Sequence, residues 1–297
     1  MLTSTIVSYP DRDNRYGSNK YRGNCSGLLI KDLLEFYTNI YDIKKVFDPM
    51  AGSGTTKDVC KELGIENLCL DLNPAWGGFD ALNDEIPESS DFIFWHPPYF
   101  DIVKYSGVMY GQADPRDLSR CKDYQEFIKK LDKIQAKLIT SLRKNGRIAI
   151  LVGDLKKKGL LFSMQKDMSW FGAPEQVVLK VQNNCWSDNQ SYNGKFIPIK
   201  HEYLLIFKRS DCYVLPAKVT KQVLIDLRQS EKITWRDVVL AAVESLGGQA
   251  TLSQLYKEIE GHKKCKTNNN WKEKIRQVVQ SYKEFKRIGE GKYALAS

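Results

Sequence analysis

Leu29, Leu33, Phe36, Tyr37 and Ile40 recur at the three- and four-residue spacing of a helix with one buried face. They predict a first helix after the polar stretch from Tyr9 to Gly27. The pattern then changes. Lys45-Val46-Phe47 reads as a strand leading into the glycine-bearing segment from Asp48 to Thr56. A helix-like segment follows to Leu63, then a short strand from Asn67 to Leu70 that ends in Asp71. Further alternation predicts a strand from Asp91 to Trp95, a helix from Tyr124 to Leu142, a strand from Arg147 to Val152 and a segment through Trp170. Two more strands follow, Glu175 to Val181 and Glu202 to Lys208. Strands alternating with helices specify an α/β fold with a doubly wound, Rossmann-like sheet. Its last two strands, joined by the polar loop from Asn183 to Lys195, are expected to form a terminal antiparallel hairpin.

From Cys212 to Glu231 the alternation stops. A more compact pattern begins beyond it: a helix from Trp235 to Leu246, Gly247-Gly248, a helix from Leu252 to Ile259, a polar loop from Gly261 to Asn270, and a helix from Lys272 to Ser281. Phe285 to Leu295 reads as two short strands around a glycine turn. Three helices and a hairpin predict a small C-terminal winged helix-turn-helix. The expected division is therefore a first domain over residues 1–210, a linker over 211–231 and a second domain over 232–297.

With 297 residues and 42% hydrophobic content, the chain can bury one large core and a small one. No run approaches the roughly 18–20 apolar residues needed to span a bilayer. Met1 to Arg15 lacks a basic segment followed by an apolar one, so we read the protein as soluble and cytoplasmic, with no membrane partner. Seven cysteines are scattered without a C-x-x-C pair, and there are three histidines, so no metal site is expected. The net charge of +9 favours a polyanionic partner, and residues 211–297 carry 16 basic against 10 acidic side chains.

Two segments carry candidate chemistry. Gly52 and Gly54 let the chain turn tightly between strand and helix, and Asp71 at the end of the next strand offers a carboxylate to ribose hydroxyls. The Gly-Lys-Ser/Thr ending of a P-loop is absent. In Phe94-Trp95-His96-Pro97-Pro98-Tyr99-Phe100, consecutive prolines after a buried-type strand hold the preceding carbonyls rigid, and Tyr99 and Phe100 offer flat faces for stacking a base.

Together these segments resemble the DNA amino-methyltransferases, which make N6-methyladenine or N4-methylcytosine with S-adenosylmethionine. The family's D-P-F-x-G-S-G-T-T segment stands here as Asp48, Pro49, Met50, Ala51, Gly52, Ser53, Gly54, Thr55 and Thr56. Its [DNS]-P-P-[YFW] segment stands as His96, Pro97, Pro98 and Tyr99. The resemblance covers roughly residues 15–209. It implies a class I methyltransferase domain that binds S-adenosylmethionine through Asp48 to Thr56, with Asp71 and Leu72 at the ribose and Asp80 near the adenine ring. Tyr21, Asn24 and Ser26 in the N-terminal segment would touch the methionine end.

His96 departs from the family's Asp, Asn or Ser. A neutral imidazole keeps one acceptor nitrogen, so the target amino group would be held between His96 and the Pro97 carbonyl, with Tyr99 stacking a base flipped out of the duplex. An imidazole near its ordinary pKa of about 6.5 would give an acid limb at about pH 6–7. Adenine N6 is favoured over cytosine N4, since an acceptor is nearer in role to Asp or Asn. RNA amino-methylation and an inactive nucleic-acid-binding subunit are the alternatives. DNA is the expected partner, with a second copy or a restriction or defence protein as further candidates. Base recognition is expected from the loops 101–122, 156–170 and 183–195 and from the C-terminal half.

Overall fold

The computed structural model describes residues 2–11, 13–183, 197–211, 214–221 and 233–296. Most of the 183–195 loop and most of the expected linker lie outside these residues. By its internal packing the chain forms two units, Met1–Thr220 and Lys221–Ser297.

The first unit runs in the order β1 (Ile6–Ser8), α1 (Gly27–Ile40), β2 (Lys45–Asp48), α2 (Thr55–Leu63), β3 (Glu66–Cys69), β4 (Phe92–Trp95), α3 (Tyr124–Ser141) and β5 (Arg147–Lys157). It continues through β6 (Leu160–Ser163), α4 (Met164–Asp167), β7 (Trp170–Phe171), β8 (Ala173–Val181), β9 (His201–Lys208) and β10 (Ala217–Lys218). The main sheet has the order β1-β8-β9-β5-β4-β2-β3, with β6 attached to β5. Strands β2, β3, β4 and β5 are parallel, whereas β9 runs antiparallel to both β5 and β8. This is the α/β sheet with a terminal antiparallel hairpin that the alternation predicts.

Side-chain alternation along the central strands makes two cores. Phe92 and Phe94 of β4, Ala149 and Leu151 of β5, and Leu204 and Ile206 of β9 pack with Leu29, Leu33, Leu34 and Tyr37 of α1 and Val59 of α2. Their neighbours Ile93 and Trp95, Ile148, Ile150 and Val152, and Leu205 and Phe207 pack on the other face with Phe127, Leu131, Ile134 and Leu138 of α3. Strands buried on both faces read as continuous apolar runs, as these do.

Three features differ from the sequence reading. Strand β5 runs on to Lys157 and turns into β6, because Lys158 and Gly159 both take positive φ, 51° and 78°, and close a tight hairpin. Strand β1, just before the polar N-terminal stretch, adds to the sheet edge parallel to β8. The first unit also continues past residue 210. There β10 pairs with β7, and Thr220 Oγ1 donates to the Met168 carbonyl at 3.1 Å.

The second unit has the order α5 (Trp235–Ser245), β11 (Gln249–Thr251), α6 (Leu252–Ile259), α7 (Lys263–Lys266), α8 (Trp271–Ser281), β12 (Phe285–Gly289) and β13 (Lys292–Leu295). Strand β11, unforeseen in the sequence, pairs with β13 to complete a three-stranded sheet, and a Thr251–Gln254 capping box starts α6 directly behind it. Val239 and Val243 of α5, Leu255 of α6, Ile275 and Val279 of α8 and Tyr293 of β13 form its own core. Among the described residues no helix is long and apolar enough to cross a membrane, and no cluster of three or more His, Cys, Asp or Glu could hold a metal ion.

Leu131 lies fully buried in the α3 core. Leu131→Ala is expected to lower the unfolding free energy by about 2–5 kcal/mol, measured as a fall in the urea midpoint of the first unit.

Candidate active site

Parallel strands deliver the loops at their carboxyl ends to one edge of a sheet, and here the candidate segments meet at that edge. After β2 the chain turns through Gly52 and Gly54, at φ 53° and 86°, and Gly54 caps α2 in the left-handed conformation. Each has a reason to be glycine. A Cβ on Gly52 would lie 3.1 Å from the Tyr21 ring, and one on Gly54 would lie 2.8 Å from Trp76. After β3, Asp71 accepts from the Gly52 amide at 3.0 Å and the Asn73 amide at 2.8 Å, so its carboxylate ties the first turn to the second. Burial raises the Asp71 carboxyl above its ordinary pKa, against the pull of those two amides. Asp48, enclosed beneath the turn, takes hydrogen bonds from Thr56 Oγ1 at 2.5 Å and from the Met50 amide at 3.0 Å, and burial pushes its carboxyl up to about 7.

The N-terminal segment closes over this turn. The Gly17 amide donates to Asp58 Oδ2 at 2.8 Å, and Thr55 Oγ1 donates to Asn24 Oδ1 at 2.5 Å. A first, narrow pocket results. Tyr21 and Asn24 line it beside Asp48 to Ser53, Thr55 and Thr56, Asp71 and Leu72, and Asp80. Gly54 and Ser26 are the two sequence-predicted residues of this group that do not line it. Gly54 lies under Trp76, and Ser26 faces a second, wider pocket. Asp80 caps the turn to Asn83, accepting from the Leu82 amide at 2.9 Å and from Asn83 Nδ2 at 2.7 Å.

The loop after β4 forms the wall between the pockets. His96 lines both; Pro98 lines the first, and Pro97 and Tyr99 line the second, a cavity of about 760 Å³. Tyr99 donates its hydroxyl proton to Glu202 Oε1 at 2.7 Å and lies 3.2 Å from His96 Nε2. Glu202 in turn takes Lys180 Nζ at 2.5 Å. Burial alone would raise the Glu202 carboxyl; the Lys180 ammonium and the hydrogen bonds from Lys180 and Tyr99 outweigh it and hold the group below the usual carboxylate range. Strand pairing makes room for this cluster, since Glu202 lies opposite Gly153, where a Cβ would meet the Tyr99 ring at 2.7 Å.

Two expectations are corrected here. Burial pushes the His96 imidazole down to about 4, so it is neutral well below the pH 6–7 range assigned to an ordinary histidine; the Glu202 carboxylate opposes this shift and Lys180 reinforces it. Phe100 offers no free face for a base. It is 7% exposed, its ring packs on Tyr124 and Phe127 at 5.7 and 5.6 Å, and a φ of 50° turns it into the core.

Sequence reasoning also missed the role of residues 101–122 as a wall of the first pocket. Tyr105 stacks on Tyr21 at 5.8 Å, and Tyr110 and Arg116 line the same pocket. The loop is held from within, because Asp117 accepts from both the amide and the hydroxyl of Ser106, at 2.8 and 2.7 Å. The aromatic residues were visible as a cluster, but their pairing with Tyr21 is a contact across 84 positions that no local pattern marks.

No family model matches the chain. It is 28% identical over 135 residues to the Type II methyltransferase M.MjaII of Methanocaldococcus jannaschii, an alignment covering 45% of this chain and 23% of that protein. The chain thus spans about a quarter of that relative's length. Among solved structures, TrmN from Thermus thermophilus aligns with 15% identity over 63% of this chain and 50% of its own, at a TM-score of 0.39. A SAM-dependent methyltransferase from Archaeoglobus fulgidus aligns with 15% identity over 64% of this chain and 96% of its own, at 0.36.

S-adenosylmethionine is the cofactor that the first pocket fits. A buried carboxylate stands at the second strand end for hydroxyl groups, and Leu72, Phe79 and Leu82 offer an apolar slot for a flat ring. Asp71→Ala and Gly52→Val are each expected to abolish S-adenosylmethionine binding in calorimetry while the circular dichroism of the protein is retained. Undiminished affinity in both would remove this assignment.

Proposed function

We propose that this protein is an S-adenosylmethionine-dependent methyltransferase that modifies the exocyclic amino group of a nucleic-acid base, with DNA as the polymer and adenine N6 as the position. The observation that carries the reading is His96, a neutral acceptor on a Pro-Pro-Tyr loop that lines both pockets at once. A reacting atom must touch both ligands, and such a wall is where it would lie.

In this reading Asp48 to Thr56, Asp71, Leu72 and Asp80 hold the cofactor, with Tyr21 and Asn24 on its polar end. When bound, the cofactor supplies an electrophilic methyl group. The target base occupies the second pocket. One amino N–H donates a hydrogen bond to His96 and the other to the Pro97 carbonyl, which turns the nitrogen lone pair out of the ring plane toward the first pocket. Tyr99, anchored by its hydroxyl, presents ring surface to the base. No cysteine nucleophile is required by this chemistry.

Support for a nucleic-acid substrate comes from three sources: the likeness to a Type II methyltransferase, the net charge, and the form of the second unit. We read its order of helix, strand, three helices (α7 a single turn) and hairpin as a winged helix-turn-helix, and Lys272 and Arg276 on α8 and Lys286 and Arg287 on β12 are exposed. The β5–β6 hairpin adds Leu160 and Leu161, 64% and 56% exposed, one glycine after the three consecutive lysines 156–158, close in sequence to Asp154, Leu155 and Lys156 of the second pocket.

Methylation of duplex DNA and of RNA with labelled cofactor, followed by base analysis, tests the reading directly: label in N6-methyladenine of DNA supports it, and label confined to RNA overturns the polymer. His96→Ala should lower the single-turnover rate by about 10²-fold and leave cofactor affinity unchanged. Because imidazolium has only donors, the wild-type rate should be lost as pH falls through about 4 and stay level from pH 5.5 to 8. A rate step between pH 6 and 7 that His96→Asn removes would contradict this.

Changing Lys272, Arg276, Lys286 and Arg287 to alanine should weaken DNA binding and reduce the salt slope by about 0.9 for each phosphate that these side chains neutralise. Unchanged salt slopes would assign the second unit to a protein contact instead.

A further inference from the structure

Lys180, Glu202, Tyr99 and His96 form a chain of polar contacts along one side of the second pocket. Its proton inventory has a single solution. A carboxylate only accepts, so the one hydroxyl proton of Tyr99 is committed to Glu202 Oε1 at 2.7 Å. What Tyr99 then offers His96 is a lone pair, 3.2 Å from Nε2. An Nε2 without hydrogen would set lone pair against lone pair. We infer that Glu202 acts through Tyr99 as a positioning residue: it fixes the neutral His96 imidazole in the Nε2–H tautomer and so reserves Nδ1 as the atom that accepts the target amino proton.

The inference rests on the proposed role of His96, and the surroundings of the ring agree with it. Among the described residues Nδ1 has no hydrogen bond, and it is absent from the polar side-chain atoms that are sealed from solvent without a partner. It is therefore open to a ligand. The charged groups facing the ring are Glu202 on β9 and Lys180 on β8, and the Tyr99 hydroxyl comes from its own loop. Lys180 keeps Glu202 ionised and opposes a second proton on the imidazole. Without the relay a neutral histidine exchanges between two tautomers, one of which has a hydrogen where the acceptor must be. An Asp or Asn at this position carries acceptor oxygens outright and needs no such device.

The tautomer can be read without substrate. The protein has three histidines, so long-range proton–nitrogen spectra of the full chain labelled with ¹⁵N-histidine, compared with His96→Asn, assign the His96 ring. At pH 7 wild type should show a pyrrole-like Nε2 and a pyridine-like Nδ1, with no imidazolium down to pH 5.5. Tyr99→Phe, which keeps the ring and removes the relay, should give a mixture of tautomers. It should also lower the single-turnover rate by about tenfold, the worth of roughly one hydrogen bond, with cofactor affinity unchanged. Wild-type Nδ1–H or imidazolium at pH 7 overturns the inference. So does Tyr99→Phe with the wild-type tautomer and the wild-type rate. A wild-type rate in His96→Ala overturns the acceptor role itself, whatever the tautomer, and so separates the two readings.

Discussion

Everything at the candidate site depends on the parallel pairing of β2 with β3 and β4, and of β4 with β5. Parallel strands put every carboxyl end on one edge, so three loops separated in sequence have to meet there. The Gly52 amide and the Asp71 carboxylate bond across two such ends, 19 positions apart. The two hydrophobic cores serve the same end: by covering both sheet faces they leave the edge as the place where polar side chains can be put to use.

The antiparallel strand β9 supplies what the parallel ones cannot. Because it runs the other way, its first residues, not its last, lie at the active edge, and Glu202 arrives opposite Gly153 and Lys180. A carboxylate 7% exposed is costly unless it is paired and hydrogen-bonded, and here an ammonium and a phenol meet that requirement. The pair stays charged and the imidazole beside it stays neutral. Both groups are driven toward lower pKa, the carboxyl by its partners and the imidazole by its burial, and the same direction leaves one charged and the other neutral.

The glycine turn, Asp71 and the Pro-Pro-Tyr loop were legible because each is a local pattern with a conformational reason behind it: positive φ, a strand end, a fixed φ. Glu202 was not, since His201-Glu202-Tyr203 looks like the alternating start of any strand and its meaning comes from what lies opposite. The shift of His96 was hidden for the same reason; burial is a property of the neighbours. The β5–β6 hairpin was missed although Lys158-Gly159 is a turn signal, because the run of lysines around it reads equally well as a solvated loop. Strand β11 is three residues long, and only its partner β13 makes it a strand.

Gly23, Asn24, Cys25, His96 and Tyr105 line both pockets. Two ligands that press on one partition cannot bind independently. Any change that the first makes in the partition alters the affinity of the second, and thermodynamics requires the second to alter the first by the same factor. On the proposed reading, cofactor and base are therefore linked ligands of a single wall. The demethylated cofactor, which keeps its hold on the first pocket but not the methyl group facing the partition, should be held with a different strength when a base is present than when the second pocket is empty.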